Sequence, residues 1–288
     1  MTHVGVVGLG KMGSAIALNL LSRGYRVSVW NRSPDPVGAL VERGATQESS
    51  PGALGETVDV VIVSLWGDDA AREVTLGQII PATRATQLVI EMSTLSPAMY
   101  ETLEKAALGR GLEFLAAPVL GSVDLARQGT LTVLAGGRET TFERARPLLE
   151  AVGSTVIYAG SVGASGYLKL ANNTIIGVVA DTLSELLAFC EHGGVDRRLT
   201  VESLTGAFGR IARSKTQQLL DRDSAPRFSL NALIKDLLLA REAALSVNVP
   251  VPILGCVLPR MQAAASSGLG DRDYIAVALE QAHRDAAS

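Results

Sequence analysis

Through the first half of the chain, short β-branched apolar blocks alternate with stretches of helical periodicity. The blocks at 4–8, 27–30, 58–65, 88–91, 113–116, 131–135 and 155–158 read as strands, with amphipathic helices between most of them, including 102–108 and 142–151. Strands alternating with helices imply parallel βαβ units joined by right-handed crossovers. Past Gly163 the pattern changes to helices alone, at about 164–193, 198–208, 212–221, 229–247, 252–267 and 273–286. No repeat, low-complexity tract or flexible linker intervenes. The pattern predicts an α/β domain over 1–162 that runs directly into a long helix and an all-helical domain over 163–288.

The first strand feeds into Gly8-Leu9-Gly10-Lys11-Met12-Gly13, and a helical pattern follows (Ala15, Ile16, Leu18, Leu20, Leu21). In Gly-x-Gly-x-x-Gly the first glycine permits a tight turn and the second lets backbone approach a pyrophosphate. The third lets the helix pack against the strand. The helix N-terminus then offers N–H groups and partial positive charge to the phosphates. Because this motif follows a strand and opens a helix, it points to dinucleotide binding.

An NAD site places Asp or Glu at the end of the second strand, about twenty residues on, to bind the ribose hydroxyls. This chain has Asn31-Arg32-Ser33 there. No acid repels a 2′-phosphate, and Arg32 with Ser33 can hydrogen-bond one, so the segment points to NADP(H); the plainer alternative is an exposed loop arginine.

A length of 288 residues fits roughly two domains. The net charge of −3, without a basic block, argues against nucleic acid or an anionic membrane as partner. Cys190 and Cys256, in apolar helical contexts, read as reduced core thiols of a cytoplasmic protein. The three histidines are isolated and no metal-ligand spacing is present.

Lysine is scarce: Lys11, Lys105, Lys169, Lys215 and Lys235 are all there are. Lys169 lies between Leu168 and Leu170 at the start of a long apolar segment, where a cation is costly unless something holds or uses it. Asn173, four residues on, shares its helical face. Lysine, unlike arginine, can release a proton when desolvated. The two readings are a snorkelling helix lysine and a proton-transfer group.

Several stretches together resemble the β-hydroxyacid dehydrogenases, the group of 3-hydroxyisobutyrate dehydrogenases, tartronate semialdehyde reductases and glyoxylate/succinic semialdehyde reductases. The glycine turn through Leu20 resembles that family's N-terminal signature. Ser93-Thr94-Leu-Ser-Pro97 is similar to its loop beside the nicotinamide ribose. Ala117-Pro-Val-Leu-Gly-Ser122 with Gly129-Thr-Leu131 is similar to its substrate loop, Gly163 to Asn173 to its catalytic helix, and Lys235-Asp236 to its second lysine motif.

The resemblance spans nearly the whole chain. It implies a Rossmann domain plus an all-helical domain, assembled as a homodimer or homotetramer and acting on a small-molecule substrate. It makes Lys169 the general acid toward a carbonyl oxygen and Asn173 the residue that orients Lys169 or the substrate. It places Ser93, Leu120, Gly121 and Ser122 at the substrate. Leu65 and Trp66 would border the cofactor, which Thr94 and Lys235 would contact. The plainer readings are an exposed charge pair for Lys235-Asp236 and a helix N-cap for the serine loop.

Two positions depart from the family's common form: Ala116 stands where it has aspartate and Leu120 where it has a carboxylate-binding serine. The lost donor is worth roughly 1–3 kcal/mol if its partner is left unpaired, unless Ser122 or backbone N–H groups replace it. An imine reductase is therefore an alternative, since such enzymes resemble this chain in a Trp-Asn-Arg-(Ser/Thr) segment like Trp30–Ser33 and an apolar Leu120 suits an uncharged imine; Lys169 argues against it, because they usually carry Asp or Tyr there. A non-catalytic nucleotide-binding protein is a second alternative, opposed by the intact Lys169 and Asn173. A decarboxylating phosphogluconate enzyme is disfavoured, the chain being short for that relative's helical domain.

Overall fold

The computed structural model describes residues 2–84, 87–192, 194–246 and 252–278. The chain divides into two compact units, Met1–Lys169 and Leu170–Ser288.

The first unit begins β1 (His3–Val7), α1 (Lys11–Ser22), β2 (Arg26–Trp30), α2 (Asp35–Val41), β3 (Thr46–Gln47), α3 (Pro51–Thr57), β4 (Val60–Val63) and α4 (Gly67–Ala70). A π-helical segment, Ala71–Ile79, leads into α5 (Ile80–Ala82) and β5 (Leu88–Glu91). There follow α6 (Pro97–Gly109), β6 (Glu113–Ala116), β7 (Val119–Leu120), α7 (Val123–Gln128), β8 (Leu131–Gly137), α8 (Glu139–Val152) and β9 (Gly153–Tyr158). The last helix, α9 (Val162–His192), starts here and continues into the second unit.

The strand order β3-β2-β1-β4-β5-β6 is the dinucleotide-binding one, and every pair along it is parallel. Alternate residues of the central strands enter two cores. Val60, Ile62, Leu88 and Ile90 join one, while Val61, Val63 and Val89 join the other. Burial on both faces explains why these strands are apolar runs rather than alternating ones.

The uniformly parallel sheet expected from the alternation ends at β6. β8 runs antiparallel to both β6 and β7, and β9 then runs parallel to β8. β6 and β7, separated by Ala117 and Pro118, share a direction because both are antiparallel to β8. The six-residue α7 then turns the chain back. The expected strands at 88–91 and 113–116 coincide with β5 and β6; the one expected at 58–65 is shorter, Val60–Val63, and β3 and β7 are additional.

In the second unit the rest of α9 is followed by α10 (Arg197–Asp221), α11 (Leu230–Ser246), α12 (Pro252–Ala264) and a π-helical turn, Ala265–Leu269. Its core includes Leu183, Leu187, Leu219, Leu233, Leu237, Leu258 and Met261. Lys215 and Asp273 form a buried ion pair at 2.7 Å, and Asp273 also accepts the N–H groups of Arg227 and Phe228. The helices expected at 198–208 and 212–221 are one helix, α10. Of the helix expected over 273–286, residues 279–286 lie outside the described residues. Cys256 is exposed, which corrects its reading as a core thiol, because it falls on the outer face of α12; the Cys190 side chain is outside the described set. Among the described residues no helix is long and apolar enough to cross a membrane.

Candidate functional site

The glycine turn fits a dinucleotide pyrophosphate on the geometry of its own atoms. Gly8 has φ +89°, and a Cβ there would lie 2.2 Å from the Ser64 carbonyl oxygen. A Cβ on Gly13 would lie 1.9 Å from the Gly8 carbonyl oxygen, so this glycine lets α1 close on the turn. Gly10 differs: a Cβ there would meet no protein atom within 4 Å. The second glycine therefore serves no internal packing and leaves open approach to backbone. Gly10 caps α1 without a side-chain hydrogen bond, and no acid occupies the helix's first turn. Exposed Lys11 and half-buried Met12 follow it. An uncapped, acid-free N-terminus suits an anion.

Asn31 stitches this turn to the end of β2. Its Oδ1 accepts the Leu9 N–H at 3.0 Å, and its Nδ2 donates to the Ser33 carbonyl oxygen at 2.9 Å. Asn31 thus shapes the segment that presents Arg32 and Ser33, both exposed.

The loops after β4 and β5 lie at the same edge of the sheet. Half-buried Leu65 and the largely exposed Trp66 follow β4, and half-buried Thr94 follows β5. Ser93, expected at the substrate, is 3% exposed. Its hydroxyl donates to Glu91 and accepts the Leu65 N–H at 2.7 Å, so in this structure it joins the two loops. Asp68 makes a second tie by accepting the Ser96 N–H at 2.9 Å and the Ser96 hydroxyl. Ser96 also caps α6, so its capping and its bridging hold together.

The start of α9 fits closely because it is built of small residues. A Cβ on Gly163 would lie 2.8 Å from Glu101 Oε1, and one on Gly166 would lie 3.0 Å from the Tyr100 ring. Ser165 between them is fully buried. Two turns into α9, the half-buried Lys169 donates from Nζ to the Val119 carbonyl oxygen at 2.9 Å. That carbonyl belongs to β7, at the head of the loop through Leu120, Gly121 and Ser122. Gly121 has φ +134°, which disfavours other residues. Ser122 Oγ caps α7 by accepting the Leu125 N–H at 3.4 Å; an accepting hydroxyl keeps its own hydrogen to donate.

In the second unit, Asn173 is 1% exposed and donates from Nδ2 to Asp236 Oδ2. A carboxylate at that nitrogen fixes the amide orientation. Lys235 pairs with Asp236 Oδ1 at 2.7 Å, and Asp236 is buried. The pair is therefore not an exposed one. Participants without a signal in the sequence include the Val119 carbonyl, Asp68 and Glu91. Each acts through a non-local contact that spacing does not encode.

Residues 3–160 match the family model described as the NAD binding domain of 6-phosphogluconate dehydrogenase. Residues 163–279 match the one described as NAD-binding of NADP-dependent 3-hydroxyisobutyrate dehydrogenase. The chain is 31% identical over 286 residues to 3-sulfolactaldehyde reductase of Escherichia coli (strain K12), covering 98% of this chain and 96% of that protein. The structure of 3-hydroxyisobutyrate dehydrogenase of Mycobacterium tuberculosis with L-serine superposes with a TM-score of 0.89 at 27% identity, covering 97% of this chain and 99% of that one. An imine reductase from Myxococcus stipitatus in complex with NADP+ shares the fold, with a TM-score of 0.66 at 22% identity over 96% of this chain and 98% of that one. On the match of both family models and the register of its motifs, the chain belongs to the β-hydroxyacid dehydrogenase family of NAD(P)-dependent oxidoreductases.

Proposed function

We propose that this protein is an NADPH-dependent reductase of a small carbonyl compound, an aldehyde or keto acid, with Lys169 as the general acid. The observation that carries this reading is the bond from Lys169 Nζ to the Val119 carbonyl oxygen, which sets a lysine ammonium at the head of the candidate substrate loop.

Gly8, Gly10 and Gly13, with Leu9, Lys11 and Met12, would hold the pyrophosphate of the cofactor. Arg32 and Ser33 would take the 2′-phosphate, and Leu65, Trp66, Thr94 and Lys235 the nicotinamide half. The reduced nicotinamide, when bound, supplies a hydride to the carbonyl carbon. The chain's own part is the proton. Lys169 Nζ gives it to the carbonyl oxygen as negative charge develops there, the C=O becomes CH–OH, and the neutral amine regains a proton from water. In the reverse direction the amine is the base. Asn173, its amide oriented by Asp236, would orient Lys169 or the substrate.

Leu120 offers no hydroxyl to a substrate carboxylate, so we assign that contact to Ser122, whose capping role leaves its hydrogen to donate, and to backbone N–H groups of the loop. The resemblance alone extends the proposal to a homodimer or homotetramer, and the cysteine usage extends it to the cytoplasm.

Apolar Leu120 also favours a second reading, reduction of an uncharged cyclic imine. NADPH oxidation against matched panels separates the two. Turnover of glyoxylate, succinic semialdehyde and similar carbonyl acids supports the first reading. Turnover confined to cyclic imines would overturn it and require a new role for Lys169. NADPH binding without turnover of either panel would favour a non-catalytic nucleotide-binding protein.

A further inference from the structure

Glu91 closes β5 and is fully buried, yet the chemistry above makes no use of it. Its Oε1 accepts the Ser93 hydroxyl and, at 3.2 Å, the Ser93 N–H; its Oε2 accepts the Thr75 hydroxyl at 2.9 Å. Each spoke reaches a different element. Ser93 carries the contact on to the Leu65 N–H at 2.7 Å, and the Tyr100 hydroxyl holds the Ser93 carbonyl oxygen from α6. Thr75 sits in the π-helical segment Ala71–Ile79; such widened turns are often found beside functional sites.

A buried carboxylate is an expensive way to fill space. Burial pushes this one up from 4.5 to about 7, against hydrogen bonds from Ser93 and Thr75 that pull it down; the negative Asp68 nearby adds a smaller upward push. An apolar residue would pack the end of β5 without that cost. What an apolar residue cannot do is accept three hydrogen bonds from two elements at once. The elements joined are the ones whose loops present Leu65, Trp66 and Thr94, at the carboxyl edge of the sheet where ligands bind in this architecture.

We propose that Glu91 is a positioning residue for hydride transfer: through Ser93 and Thr75 it sets the placement of the two loops that border the nicotinamide half of the cofactor. This rests on the cofactor assignment made above. It predicts an effect concentrated at the nicotinamide end, since among the described residues the network's hydrogen bonds run to Ser93, Thr75, Leu65 and Tyr100 rather than to the glycine turn or Arg32.

The test compares Glu91→Leu and Glu91→Gln using two probes, NADPH and 2′-phospho-ADP-ribose, which lacks the nicotinamide. Glu91→Leu should weaken NADPH roughly 10-fold, leave 2′-phospho-ADP-ribose within about 2-fold, and lower kcat by about 10–100-fold, the scale of a small misplacement. Glu91→Gln should recover most of both losses, because its oxygen still accepts from Ser93 and the Thr75 hydroxyl can turn to accept its amide. Equal weakening of both probes, or an unchanged kcat and NADPH affinity in Glu91→Leu, would overturn the proposal. Should Glu91→Leu not fold, Ser93→Ala and Thr75→Val each cut one spoke and should give the same selective loss, smaller in size. Failure of the cofactor assignment itself is distinguishable: the unmutated protein would then bind neither probe, and the proposal would fall with it.

Discussion

Lys169 and Val119 are 50 residues apart in sequence and joined by a single hydrogen bond, Nζ to carbonyl oxygen at 2.9 Å. The bond ties α9 to β7 and keeps the ammonium in register with the loop through Leu120, Gly121 and Ser122. It also answers the problem the sequence poses, a cation among leucines: the charge is held by a strand carbonyl rather than only snorkelling to water.

The glycine turn separates folding from binding. Gly13→Ala would drive a Cβ to 1.9 Å from the Gly8 carbonyl oxygen, so it should destabilise the protein by about 1–3 kcal/mol or more, as overpacking does. Gly10→Ala meets no protein atom and should change stability by no more than about 1 kcal/mol, the scale of a lost glycine cap, while cofactor affinity collapses. Denaturant melts paired with NADPH titrations check both. Equal destabilisation by the two substitutions would contradict the assignment of Gly10 to ligand approach.

Cofactor choice rests on Arg32, which is exposed and follows an Asn31 already engaged with Leu9 and Ser33. Arg32→Ala should weaken NADPH by roughly 10–100-fold, the worth of a hydrogen bond to a charged group, and leave NADH almost untouched. The NADPH affinity should also fall with added salt, because the pairing is at the surface. Parallel losses for both cofactors would remove the 2′-phosphate role.

Much of the first unit was legible in the sequence because its signals are local. β5 and β6 are blocks whose ends coincide with the reading, and the three glycines declare the turn by their spacing between a strand pattern and a helix pattern. The misses share a physical cause. β3 and β7 are two residues long, too short to show any periodicity. The antiparallel return of β8 follows the reversal through the short α7, which the composition of β8 does not reveal. The break expected between 208 and 212 does not occur: α10 continues through Gly209, and glycine in a helix costs only about 1 kcal/mol. Within the candidate site, Lys169 was singled out by residue type and Ser93 by the resemblance of its loop, whereas the contacts they make with the Val119 carbonyl and with Glu91 carry no sequence signal. Ser93 illustrates the limit: its loop was recognised, but the bond its hydroxyl accepts from the Leu65 N–H, 28 residues away, is not encoded by local spacing.

Glu91 should also mark the stability of the protein with a pH signature. Its native pKa, about 7, lies above its ordinary 4.5, so the folded state holds this proton more tightly than the unfolded chain. The contribution to stability is then full below about 4.5, declines as pH rises through 7, and is flat beyond. The whole shift corresponds to on the order of 3 kcal/mol. Glu91→Gln cannot titrate there, so relative to the unmutated protein it should gain stability between pH 5 and pH 8. Urea unfolding of both proteins at those two pH values measures the difference, and parallel curves would contradict it.

The central claim is that Lys169 moves the proton. Its most direct test is turnover of Lys169→Ala with a carbonyl substrate, alongside NADPH binding to the same preparation. The account predicts a fall in kcat of about 10²–10⁴-fold, the range for loss of a general acid, with NADPH affinity nearly unchanged. Turnover equal to that of the unmutated protein would contradict it and leave Lys169 as a strut between α9 and β7.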